Sequence, residues 1–121
     1  MKIYVDTNIY LDYLLKRKNK FGKDLSKSAF NLFKRTIACE FHILISNHLI
    51  RELRGIIELN DLTMLINFLK KKIIKINDES KGKGDELHAY LAKKHGADII
   101  ITRNIKHFKD FSIQANTPEQ I

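Results

Sequence analysis

The chain contains no tryptophan, one cysteine and one proline. A lone thiol, Cys39, excludes an internal disulfide and a cysteine-built metal cluster, and its apolar neighbours predict a buried free thiol. Long apolar runs are missing too. None approaches the roughly 20 residues needed to cross a bilayer, and Asp6 interrupts the N-terminal apolar stretch where a signal peptide needs continuity. The expected location is therefore cytoplasmic, with no membrane association. Acids are scarce relative to bases, 14 against 22, which gives a formal charge of +8 and a pI near 9.6. Such a field attracts polyanions, so nucleic acid is a more natural partner than an acidic protein or a cationic metabolite.

What is present fits one core. With 121 residues and 44% hydrophobic side chains, a single domain over 1–121 is expected. No internal repeat, linker or low-complexity tract divides it. Short isoleucine-rich runs at 2–5, 42–46, 73–76 and 98–102 have the pattern of strands buried on both faces of a parallel sheet. A weaker fifth strand is expected over 112–115. Between them, helical spacing covers 8–16, 25–37, 47–58, 61–71 and 85–95. In the second of these Leu25, Ala29, Leu32, Phe33 and Ile37 form one apolar stripe, and in the third Leu49, Leu53 and Ile56 do. Alternating strands and helices predict a three-layer α/β/α sandwich around a mainly parallel sheet of four to five strands. Gly96 ends one helix, and Lys81-Gly82-Lys83-Gly84 forms a basic loop before Asp85. The lysine-rich stretch 16–27 reads as a solvated loop.

In open α/β sheets ligands bind beyond the carboxyl ends of the strands. Asp6 follows the first strand and Ser46 closes the second. Glu52 borders the buried stripe of the next helix, Asp85 opens a later one, and Thr102-Arg103-Asn104 leaves the fourth strand. Each has a plainer reading: Asp6, Asn8, Asp85 or Asn104 could cap a helix, and Glu52 could pair with a neighbouring arginine on the surface. Together they bring polar groups from four segments to one sheet edge. Three carboxylates about 6 Å apart would repel by roughly 3 kcal/mol per pair at an effective dielectric near 20, so protons or cations must sit among them. Mg²⁺ or Mn²⁺ suits oxygen ligands of this kind, and such an ion supports phosphodiester hydrolysis.

Val5-Asp6-Thr7-Asn8, the Ser46–Leu53 segment with its glutamate, Asp85-Glu86-Leu87-His88, and Ile101-Thr102-Arg103-Asn104 with Phe108 resemble the ordered motifs of PIN domains. Asn116-Thr117-Pro118-Glu119 resembles the family's closing segment, so the similarity spans nearly the whole chain. The resemblance implies an Mg²⁺- or Mn²⁺-dependent endoribonuclease of the VapC kind, the toxin of a type II toxin–antitoxin pair. It assigns metal binding and water activation to Asp6, Glu52 and Asp85, and supporting hydrogen bonds to Asn8 and Thr102. It further implies an RNA substrate, a protein antitoxin and a homodimer. Asn104 stands where many PIN domains have a fourth acid. Its carbonyl oxygen can still ligate, but it cannot offset a cation's charge. Asp110 is expected at the surface, and Glu86 to face solvent. Arg103 and the loop lysines Lys81 and Lys83 would meet RNA phosphates.

Three other readings compete. A metal-free ribonuclease would need two histidines; His88 and His95 share a helical face, and His48 lies near Glu52. A catalytically weak or inactive PIN-like module would bind RNA or a partner and keep its acids only as caps, a reading that Asn104 favours. A phosphoacceptor receiver domain is disfavoured, because no adjacent acid pair closes the first strand.

Overall fold

The computed structural model describes residues 1–76 and 84–121; Lys81 and Lys83 lie outside them. Five strands, β1 (Lys2–Val5), β2 (His42–Ser46), β3 (Ile73–Ile76), β4 (Ile99–Ile101) and β5 (Ala115–Asn116), form one sheet in the order β3-β2-β1-β4-β5. Every pairing is parallel. Side chains alternate across it, and this alternation separates two cores. Ile3, Val5, Ile43, Ile45, Ile99 and Ile101 pack on one face, against α1 (Thr7–Leu14), α2 (Leu25–Ile37), α3 (Asn47–Arg54) and α4 (Leu59–Leu69). Tyr4, Leu44 and Ile100 face the other way, against α5 (Gly84–Lys94) and a 3₁₀ segment at Ile105–Phe111. Both faces are covered, which is why the strands read as unbroken apolar runs. The architecture is the expected α/β/α sandwich.

Several local expectations need correction. The helix expected over 47–58 ends at Arg54, and Gly55 caps it. Past that point the wheel no longer holds: Ile57 turns inward at 7% exposure while Ile56 stands out at 56%. At the end of α2, Thr36 is buried and Ile37 exposed. The Thr36 hydroxyl donates to the Leu32 carbonyl at 2.9 Å, which removes the cost of burying it. The fifth strand occupies Ala115–Asn116 rather than 112–115, because Ser112 takes a left-handed backbone (φ 53°) that closes the 3₁₀ segment and cannot be extended.

Cys39 is exposed, not buried. It follows the α2 cap residue Ala38 with φ 73°; its N–H donates to Thr36 O at 3.0 Å, and Glu40 N–H to Arg35 O at 3.2 Å. These two bonds are the Schellman arrangement, whose left-handed position favours glycine. Replacing Cys39 by glycine should relieve about 0.5–1 kcal/mol of left-handed strain, partly offset by a freer unfolded chain. The expected result is a small rise in the urea midpoint at unchanged m-value.

Candidate functional site

The chain runs from β1 to β2 on one side, while β4 lies on the other side of β1, so a crevice opens at the carboxyl ends of β1 and β4. Asp6 sits there. Its backbone N–H donates to Ile101 O at 2.9 Å, and the Thr102 hydroxyl donates to its Oδ2 at 2.9 Å. Asp6 occupies the N-cap position of α1, yet its side chain makes no capping hydrogen bond, so capping does not account for it. The residue is 3% exposed. Burial raises its pKa above the ordinary 3.8 and Asp85 adds to the rise; His88 and the Thr102 hydroxyl pull against it.

Glu52 approaches from α3. Its Oε1 accepts from the Thr7 hydroxyl at 2.8 Å and from His88 Nε2 at 2.7 Å, and His48 Nε2 lies 3.5 Å away. These contacts lower its pKa to about 2, chiefly through His88, then Thr7, against the opposing effect of burial. A polar chain runs on from His88 beneath the sheet. A carboxylate only accepts, so Nε2 carries the proton. Nδ1 and Tyr4 Oη share a hydrogen bond of 2.6 Å, Tyr4 Oη and Ser46 Oγ share one of 2.9 Å, and Ser46 Oγ accepts from the Leu49 N–H at 3.1 Å. Every member is satisfied, which makes the chain an orienting device for His88.

The remaining expected residues separate into two groups. Asp85, in the first turn of α5, accepts from His107 Nδ1 at 2.8 Å and lies near enough to act on the charge of Asp6. Asn104 is half-buried at the start of the 3₁₀ segment, and its N–H donates to Thr102 Oγ1 at 3.0 Å. Glu86 and Asp110 are exposed, as expected. Asn8 and Arg103 belong to a different cluster around Asp12, which is buried at 1% exposure. Arg103 forks onto Asp12 with Nε at 2.6 Å and Nη2 at 3.1 Å, while Arg17 Nη1 reaches Asn8 Oδ1 at 3.3 Å and Asp12 at 3.9 Å. Asp12 was not anticipated, although an acid inside the apolar run Ile9-Tyr10-Leu11-Asp12-Tyr13-Leu14 was a usable signal.

No family model matches the chain, and no curated protein matches it. Solved structures do. One is a crystal structure of VapBC2 from Rickettsia felis bound to a DNA fragment from their promoter, with a TM-score of 0.65 and 19% identity over 97% of this chain and 98% of that one. Another is the PIN domain endonuclease Utp24, with a TM-score of 0.53 and 16% identity over 87% of this chain and 72% of that one. The fold is PIN-like.

Among the described residues Asp6, Glu52 and Asp85 do not make a group whose ligand atoms all lie within 4.8 Å of one another. Burial raises the Asp6 pKa and the Asp85 charge adds to it, an imbalance that a bound cation would offset. Among the described residues, though, the His, Cys, Asp or Glu ligand atoms that all lie within 4.8 Å of one another belong to His48, Glu52 and His88. Glu52 thus leans toward imidazoles, and Asp85 toward His107.

Two tests follow from this geometry. A carboxyl whose folded pKa is raised helps stability below its unfolded value and costs stability as pH rises through the folded value. In EDTA, Asp6→Asn should therefore melt above wild type at neutral pH, with the gap closing below about pH 4. Glu52 runs the other way: its contribution is present above about pH 4.5 and is lost as pH falls toward 2. Arg103→Ala strips Asp12 of its forked partner and should cost about 1–3 kcal/mol in denaturant unfolding.

Proposed function

We propose that the chain is an Mg²⁺- or Mn²⁺-dependent endoribonuclease acting in the cytoplasm as a homodimer, the toxin of a toxin–antitoxin pair. The observation that carries this reading is the buried Asp6 carboxylate at the β1/β4 crevice, with Asp85 close enough to raise its pKa. A buried acid whose pKa is raised by desolvation and a second acid is the kind of group that functional sites collect, which supports the reading. The VapBC2 likeness supports a protein antitoxin as the partner.

In this reading Asp6 and Asp85 hold the ion, Asn104 offers a neutral oxygen beside them, and Thr102 fixes the Asp6 carboxylate. The ion supplies an activated water and neutralises charge on the leaving oxygen. Glu52, kept ionised by its low pKa, would ligate the ion or orient its water. Thr7 holds Glu52 toward the crevice. Asn8 acts indirectly, by steadying Arg17 beside Asp12. Arg103 spends Nε and Nη2 on Asp12, so it would meet phosphate through Nη1, alongside Lys81 and Lys83. RNA affinity should fall steeply with salt.

A second reading has a specific observation behind it. Glu52 and Asp85 each already bond a histidine, as they would in a module that binds RNA without cutting it. Incubation of single-stranded RNA with the protein separates the two. The nuclease cleaves with Mg²⁺ or Mn²⁺ and stops in EDTA; Asp6→Asn binds RNA at least as tightly as wild type and cleaves none. Cleavage that survives EDTA, or wild-type turnover by Asp6→Asn at saturating metal, would overturn the assignment. Binding without cleavage by wild type would establish the module.

A further inference from the structure

The geometry points to a second cation site, of a different chemical kind, formed by His48 Nε2, Glu52 and His88 Nε2, which we infer takes a borderline transition ion of the Zn²⁺ class. The three ligand atoms lie within 4.8 Å of one another. The two imidazoles face each other across 4.9 Å between ring centroids, tilted by 50°, so their nitrogens are not stacked away from a shared point. His48 and Glu52 are four residues apart on α3 and so share a face, while His88 comes from α5. Two imidazoles and a carboxylate form a donor set suited to Zn²⁺, and one that Mg²⁺, which demands oxygen, uses poorly.

The distances agree with capture. Ligands about 2.0–2.1 Å from a tetrahedral ion sit roughly 3.3–3.5 Å from one another. His48 Nε2 already stands 3.5 Å from Glu52 Oε1, and His88 Nε2 at 2.7 Å need only retreat by less than an ångström. The ion would take the place of the Nε2 proton of His88, and Nδ1–H would then donate to Tyr4 Oη, whose own hydrogen turns toward Ser46. An imidazole ligand whose second nitrogen donates to a fixed acceptor is the usual way such ligands are oriented. Glu52 is shared with the nuclease reading, but binding at this site does not depend on cleavage.

The test uses the untagged full chain. Equilibrium dialysis should give one tight Zn²⁺ per chain, and Co²⁺ as its spectroscopic substitute should give the intense visible absorption of a four-coordinate ion. His48→Ala removes a ligand that is 16% exposed; with an unchanged circular dichroism spectrum to show that it folds, it should weaken Zn²⁺ binding about 100-fold and abolish the Co²⁺ band. Tyr4→Phe should weaken it about 10-fold or more, as loss of an orienting partner does. Asp6→Asn and His107→Ala should bind Zn²⁺ like wild type. Unchanged Zn²⁺ affinity in His48→Ala would overturn the site. Loss of the Co²⁺ band in Asp6→Asn would place the ion among the oxygen ligands instead and overturn it equally.

Discussion

The rest of the site is arranged around a carboxylate kept almost dry at the end of the central strand. A lone charge there is costly, since burial and a neighbouring acid both disfavour the ionised form of Asp6. The cost is bearable because the surrounding backbone is fully paired. β1 lies between β2 and β4, the Asp6 amide bonds Ile101, and the Thr102 amide bonds Asn116. The sheet thus places the acid first, and Thr7, Thr102 and His88 complete its surroundings.

Two polar clusters flank that position and work differently. On one side Arg103 forks onto the buried Asp12, joining the segment after β4 to α1 through charge-assisted bonds of 2.6 and 3.1 Å. That contact fastens two elements that both contribute to the crevice. On the other side Glu52 is held by a hydroxyl and an imidazole, with a second imidazole close by. The first cluster is an ion pair with its geometry filled. The second has donors of two chemical types pointing to one spot, and this difference separates scaffold from binding site.

Much of this was readable from residues alone. The strand runs at 2–5, 42–46 and 73–76 and the α2 helix at 25–37 match the structure, because isoleucine runs and an amphipathic stripe are direct consequences of burial on two faces or one. Asp6 was singled out as the acid after the first strand, Glu52 at the border of a helix stripe and Asp85 at a helix start; in the structure Glu52 meets Thr7 and His88, and Asp85 meets His107. What escaped was set by tertiary partners. No periodicity relates His88 to Glu52, or Arg103 to Asp12, since each pair joins distant segments. Ile56 and Ile57 exchanged roles because one glycine ended a helix early, and Cys39 came to the surface because its place after α2 demanded a left-handed turn. Short-range backbone events of this kind overrule hydropathy.

Tyr4 has a consequence of its own. It lies between Ile3 and Val5, so its ring belongs to the α5 side of the sheet while its neighbours fill the opposite core. A slip of β1 by one residue against β2 and β4 would carry the phenol to the wrong layer and push two aliphatic side chains into its place. Packing and chemistry would fail in the same event. The strand's register thus fixes the core and the polar chain together.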